Sequence, residues 1–214
     1  MALPVDPEML ALFAPVALAL NLTPGADMLF CLGQGARSGP GAGLAAAAGI
    51  SAGSLVHAGA AGLGLAALMA AHPPLFEAVR WAGVAYLAWL GLRAFAALAR
   101  GEDAVAGRAV RPLRPGAAFR AGLAVNLLNP KVGVFVLALV PQFVRPEAGP
   151  VLGQFLAFGA VLAAGGMLVN GAVGASAGHA GRALARSRRL GQALQAATGT
   201  IFLGLAARLA LQKG

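Results

Sequence analysis

Long hydrophobic runs alternate along the chain with short polar or Pro/Gly-rich connections, and the runs predict membrane-spanning helices. The stretch from Ala42 to Ala71 contains no Asp, Glu, Lys or Arg, and about 20 apolar residues are enough for a helix to cross a bilayer. Blocks such as GLGLAALMAA lack the alternation of a membrane β-strand. The pattern therefore predicts an all-α integral membrane protein with six spans, near residues 8–32, 42–71, 76–98, 117–143, 151–178 and 190–211.

The composition supports a membrane protein and narrows its chemistry. Hydrophobic residues make up 59% of the 214, charged residues only 11%, and the mean hydropathy is +0.78, whereas soluble proteins carry roughly 25% charged residues. The net charge of +9 comes from Arg clusters between apolar runs, which is unlike a nucleic-acid-binding stripe. The single Cys31 excludes an internal disulfide, a redox CxxC pair and a cysteine-based zinc site. We expect no metal, no cofactor and no nucleic-acid partner.

The basic residues predict the orientation. With the N-terminus outside, eleven of the sixteen Lys and Arg lie in the cytoplasmic connections or at the span ends beside them, and four lie on the opposite side, as the positive-inside rule requires. Both termini are therefore predicted to be periplasmic. A basic cytoplasmic linker at about 99–116 separates two halves, about 1–98 and 117–214, within one transporter domain over 1–214.

Two corresponding segments interrupt their helices. Ala19–Gly25 reads ALNLTPG in the first span, and Ala124–Lys131 reads AVNLLNPK in the fourth. Pro24 and Pro130 each remove a backbone donor and free backbone groups inside the membrane. Because three crossings reverse the chain, the matching breaks predict two inverted three-helix repeats with broken first and fourth helices.

The residues beside the breaks are candidates for a substrate site. A half-helix N-terminus suits a carboxylate and freed carbonyls suit an ammonium, and an amino acid carries both groups. The predicted site comprises Asn21, Thr23, Pro24, Gly25, Asp27, Asn126, Asn129, Pro130 and Lys131.

Asp27 and Lys131 follow the two breaks and carry opposite charges, which are costly within a span. We expect them to lie near each other, either paired directly or engaging opposite ends of a zwitterion, and Asp27 could carry a coupling proton. The alternatives are a static buried ion pair or a Lys131 that snorkels to the membrane surface.

Two further polar residues lie within predicted spans. Gly49, Gly53 and His57 form a GxxxGxxxH row, in which the glycines indicate close helix contact and His57 is either a proton relay or a structural residue. Asn170 is either a pathway group or an interhelical hydrogen-bonding residue. Although two serines lie near His57, the stretch has no nucleophile elbow or orienting carboxylate, so no enzyme is predicted.

The motifs resemble those of the lysine exporter and homoserine/threonine exporter (LysE/RhtB) family. The resemblance rests on LTPGADMLFCLGQGARSG, on FRAGLAVNLLNPKVGVFVLALVPQFV and on WAGVAYLAWLGLRAF in the third span. It implies a bacterial inner-membrane protein, often oligomeric, that exports amino acids or close derivatives using the proton or membrane gradient. The family's motif positions fall on Pro24, Gly25, Asp27, Asn126, Asn129, Pro130 and Lys131. This chain departs from the family at Ala26, where a second Pro is common.

The predicted function is a secondary exporter of amino acids or related small zwitterions, coupled to the proton motive force. Its expected partners are membrane lipid and further copies of itself in a homo-oligomer. One alternative is a non-transporting lipid-interaction or assembly protein, which would not need matched charged breaks. Another is a transmembrane redox protein, which needs a pair of membrane cysteines, and Cys31 alone argues against it.

Overall fold

The computed structural model describes residues 5–71, 73–101, 111–177 and 188–211. Within these ranges the regular elements are helices, as predicted: α1 Pro7–Leu22, α2 Ala26–Ser38, α3 Pro40–Ala71, α4 Pro73–Ala99, α5 Pro115–Leu127, α6 Pro130–Leu139, α7 Val151–Ala175 and α8 Arg188–Leu211. Two 3-10 turns, Val140–Phe143 and Pro146–Ala148, connect α6 to α7. Most of the predicted linker lies outside the described residues, as do four of the basic residues used for the orientation: Arg108, Arg182, Arg186 and Lys213.

The helices confirm a multi-pass membrane protein. Three described stretches are long and apolar enough to cross a bilayer alone, Pro40–Gly64, Trp81–Ala99 and Val151–Ala175. Two helix pairs pass the same test only together: α1 with α2 bends by 57°, and α5 with α6 and its 3-10 turn bends by 54°. The described residues thus hold up to five spans by length and composition. The span predicted at 190–211 is helical in α8, but its apolar part, Gln195–Leu211, is shorter.

Both bends occur where the sequence places a proline. A residue before proline is disfavoured in the α conformation, and Thr23 and Asn129 are both extended, with φ/ψ of −66°/115° and −84°/104°. Pro130 then occupies the first turn of α6, where its missing N–H costs nothing. The two predicted breaks are therefore real interruptions of the helix and not mild kinks.

Helix α3 lies between α5 and α7 and contacts both of them extensively. Gly49 of α3 faces the Phe119 carbonyl of α5, and Gly122 of α5 faces the Ala46 carbonyl of α3. On the other side Gly43 meets the backbone of Gly174 in α7. Since a methyl group would not fit at these points, glycine allows the close backbone approach that membrane helices use. The glycine-lined contacts hold α3 close to the broken helix α5 on one side and to α7 on the other.

Four phenylalanines pack on one side of the breaks. Phe13 of α1 contacts Phe135, Phe143 and Phe158, with ring centroids 5.0–6.2 Å apart. All four rings are buried at 3% exposure or less. The cluster precedes the first break along α1 and follows the second along α6, so it seals one end of the helix bundle.

Candidate functional site

Asp27 lies in the first turn of α2, immediately after the first break. Its carboxylate accepts hydrogen bonds from two asparagine side chains at the second break. Its Oδ2 accepts a hydrogen bond from Asn126 Nδ2 at 2.9 Å, and its Oδ1 accepts one from Asn129 Nδ2 at 3.0 Å. The side chain is only 7% exposed. Hydrogen bonds to a carboxylate are stronger than those between neutral groups, and these two join α2 to the end of α5.

Lys131 lies in the first turn of α6, after the second break. Its ammonium donates hydrogen bonds to backbone carbonyls at the first break. Nζ donates to the carbonyls of Thr23 at 3.2 Å and Leu20 at 3.4 Å, at the carboxyl end of α1. The last carbonyls of a helix have no partner within that helix. A methyl group on Gly25 would lie 3.3 Å from Nζ, so the absence of a side chain there gives the ammonium its space.

The two charged side chains thus lie close together, but each one is hydrogen-bonded to the helix break of the other half. Asp27 of the first half binds Asn126 and Asn129 of the second, while Lys131 of the second half binds carbonyls of the first. In the part of the chain that the structure describes, neither charge uses the other as its hydrogen-bond partner. We call this arrangement the reciprocal brace.

The first break also lines a cavity of about 290 Å³. Thr23, Pro24, Gly25 and Lys131 form one wall, and α4 and α8 supply the rest, which includes Leu90, Arg93, Ala97, Gln195, Thr198 and Phe202. The volume is close to the lower end of the range for small-molecule sites, about 300 Å³. The cavity has the size of a small-metabolite site.

Three polar residues of the cavity wall, Arg93, Gln195 and Thr198, were missed by the sequence reasoning, whereas Thr23 was predicted. Thr23 Oγ1 donates to the Ala19 carbonyl at 2.7 Å and lies 3.1 Å from Thr198 Oγ1. The Arg93 guanidinium lies over the Trp89 ring, 4.9 Å from its centroid. Arg93 falls inside the predicted third span, so a charge within a span was the signal that could have nominated it. Thr198 had no such signal, because only packing brings α8 to the first break.

A second crevice, of about 10 Å³, lies behind Lys131 and has room for roughly one water molecule. Its polar lining comes from Asn21, Thr23, Asp27, Ser54, Lys131 and Asn170. Asn21 Nδ2 donates to the Leu162 carbonyl of α7 at 3.1 Å. Asn170 is buried at 3% exposure, and its Oδ1 has no hydrogen-bond partner among the described residues. Thr23 and Lys131 line both spaces, so they stand between the cavity and the crevice.

The remaining predicted residues lie around the second break and contact the residues that form the site. His57 Nε2 lies 3.1 Å from the Asn126 carbonyl at the second break. Asn129 Oδ1 accepts from the Lys131 backbone N–H at 3.0 Å. His57, Asn126, Asn129 and Pro130 line neither the cavity nor the crevice. Among the described residues no group of three His, Cys, Asp or Glu side chains could hold a metal ion.

Comparison with known proteins places the chain among membrane translocators. Residues 18–213 match the family described as LysE type translocator. The chain is 32% identical over 192 residues to the homoserine/homoserine lactone efflux protein of Salmonella typhi, covering 89% of this chain and 90% of that protein. It is 31% identical over 196 residues to the leucine efflux protein of Enterobacter sp. strain 638, covering 91% of each. No solved structure gives a significant match.

Proposed function

Because the chain belongs to the LysE type translocator family, we propose that it exports small amino acids or related zwitterions through the cavity at the first break. The relatives named as homoserine/homoserine lactone and leucine efflux proteins support this cargo class. The observation that carries the proposal is the cavity of about 290 Å³, which a broken helix and two further helices enclose. Cargo sites at interrupted helices are a recurring transporter design.

We further propose six spans, with α8 as the sixth, arranged as two inverted repeats. The support is a pair of equivalent contacts. Asn21, before the first break, lies against Gly165 of α7, and Asn126, before the second break, lies against Gly53 of α3. Each asparagine thus packs on a glycine of the other half's second span, as a two-fold relation between the halves would require.

The proposed setting is the bacterial inner membrane, with both termini periplasmic. In this orientation Arg93 and Gln195 lie toward the cytoplasmic ends of α4 and α8, and the cavity that they line faces the cytoplasm. Phe13, Phe143 and Phe158 then close the periplasmic side. This arrangement suits an exporter that is ready to load cargo from the cell. Assembly as a homo-oligomer within the lipid follows from the family resemblance.

Asp27 is our candidate for the proton carrier. Its carboxylate is buried, lines the crevice and holds two amide donors of the second break. Protonation would remove the charge that strengthens those bonds and loosen the brace between the halves. Return of the proton to the cytoplasm would reset it, which couples cargo export to proton import.

The test is counterflow in proteoliposomes loaded with homoserine or leucine, with and without a pH gradient. We expect flux that the gradient accelerates, that Asp27→Asn uncouples from the gradient, and that the exposed-acid control Glu147→Gln leaves unchanged. If no amino acid in a broad panel moves, the exporter proposal fails and a non-transporting membrane role takes its place. If flux persists but ignores the gradient in the native chain, only the proton coupling fails.

A further inference from the structure

The cavity wall is cationic. Arg93 and Lys131 both line it, and among the described residues neither an Asp nor a Glu does. The buried carboxylate of Asp27 lines the crevice on the other side of Lys131 and is already held by two amides. Charges interact more strongly in the low-dielectric surroundings of a membrane protein than in water. The cavity is therefore electrostatically complementary to an anionic group.

The two cations are not equally available. The Lys131 ammonium is committed to the carbonyls of Thr23 and Leu20. The Arg93 side chain is exposed, and within the described residues its guanidinium has the Trp89 ring as its partner and no carboxylate. A ring beneath the guanidinium face leaves the in-plane N–H groups free to bind a carboxylate in bidentate fashion.

From this geometry we propose that Arg93 binds the carboxylate of the cargo, with Trp89 positioning the guanidinium, and that a free carboxylate is therefore the feature by which this cavity selects its cargo. The inference rests on the proposed export function. It predicts that α-amino acids are carried in preference to their amides, esters and lactones, whose carboxyl group is uncharged. The efflux relative named for both homoserine and its lactone makes this distinction a specific question for this chain.

The experiment is counterflow in proteoliposomes with two matched pairs of solutes, homoserine with homoserine lactone and leucine with leucinamide. The variants are Arg93→Gln and Arg93→Lys. The control is Arg120→Gln, which removes an exposed arginine of α5 that does not line the cavity. The measured quantity is the ratio of the flux of the free amino acid to the flux of its lactone or amide within each pair.

We expect Arg93→Gln to lower that ratio by about tenfold or more, since a hydrogen bond to a charged group contributes about 1.5–3 kcal/mol. Arg93→Lys keeps the charge without the planar fork, so its ratio should be intermediate. Arg120→Gln should keep the native ratio.

An unchanged ratio in both Arg93 variants, with flux intact, would overturn the carboxylate role and leave the export function standing. A native chain that carries none of the four solutes and no amino acid of the broader panel would instead refute the export function, and the inference with it. If Arg93→Gln does not reconstitute, the Arg93→Lys ratio decides alone, because a native ratio in that variant contradicts bidentate recognition.

Discussion

At the residue scale, the reciprocal brace explains how two charges persist inside the membrane. A lone charge in hydrocarbon is costly, but here each charged side chain is hydrogen-bonded to polar groups at one of the two helix breaks. Two amide donors satisfy Asp27, and two helix-end carbonyls satisfy Lys131. The brace ties the two halves together at the point where both are interrupted, so it is suited to couple their movements.

The brace predicts that the two charges are not interchangeable. In the double variant Asp27→Lys with Lys131→Asp, a carboxylate would face the carbonyls of Leu20 and Thr23, and carbonyls cannot turn into donors. We expect export no better than in either single variant, measured as homoserine and leucine flux in proteoliposomes. A direct ion pair would predict recovery on exchange, so substantial rescue would contradict the brace.

Gly25 offers a second test at this scale. Its φ/ψ of −174°/−169° is extended backbone that alanine also adopts, but the added methyl would lie 3.3 Å from Lys131 Nζ. We expect Gly25→Ala to displace the Lys131 ammonium by a few tenths of an ångström, weaken its contacts and lower the free energy of unfolding by about 0.5–1.5 kcal/mol, measured by thermal unfolding in detergent. Gly41→Ala, which has open space around it, should be close to neutral. Equal stability of the two variants would contradict the close contact.

At the element scale, α3 is the structural centre because its glycines allow α5 and α7 to approach on two sides. Their positions follow the sequence: Gly49 and Gly53 lie four residues apart, one turn of the helix. Gly49 contacts the Phe119 backbone, and Gly53 contacts the Asn126 side chain. The same row of α3 therefore supports both the packing of α5 and the asparagine that holds Asp27.

Gly49→Ala should separate α3 from α5. The methyl would enter the space of the Phe119 carbonyl, and overpacking of this kind costs about 1–3 kcal/mol. We expect a lower thermal unfolding midpoint and weaker export. Gly64→Ala, on the same helix but facing open space, should keep the native midpoint or raise it slightly, since alanine favours helix. A native midpoint for Gly49→Ala would argue against backbone contact at this crossing.

The sequence predicted the helices and their breaks more completely than the contacts between the helices. The Pro residues identify both breaks, because proline acts locally through its own ring and missing N–H. The long apolar runs likewise identify α3, α4 and α7. The cavity wall from α4 and α8 was not predicted, since which faces of two apolar helices meet a third is decided by packing. The partners of Asp27 and Lys131 depend on that packing too, so the sequence indicated that they would be neighbours without deciding between a direct pair and separate partners.

At the scale of the whole molecule, the cavity and the phenylalanine cluster lie on opposite sides of the breaks. The cavity is lined by α4 and α8 beside the first break, while Phe13, Phe135, Phe143 and Phe158 are buried together. A transporter needs one side closed while the other is open, so under the proposed export function this conformation would correspond to one half of a transport cycle. The family match confirms the translocator predicted from the motifs.

The proposed orientation can be tested with single cysteines. The chain has one cysteine, Cys31, which is fully buried, so Cys31→Ala gives a background without a reactive thiol. In that background, Ala97→Cys in the cavity should react with a membrane-impermeant maleimide in inside-out vesicles, and cargo should protect it. Arg208→Cys should react in intact spheroplasts. The reverse labelling pattern would contradict the proposed orientation. If neither cargo protects Ala97→Cys, the proposal that cargo binds in the cavity is wrong.

The reciprocal brace also has a consequence for biogenesis. The ribosome delivers the first half to the membrane before residues 126–131 have been synthesised, so Asp27 enters without the amides that later hold it. The carbonyls at the end of α1 likewise lack their partner until Lys131 has been synthesised. Neither half can reach its final conformation alone, and the order of synthesis makes the fourth span the step that completes the first. A chain truncated before residue 126 would lack both amide partners of Asp27 and leave its carboxylate unsatisfied within the bilayer.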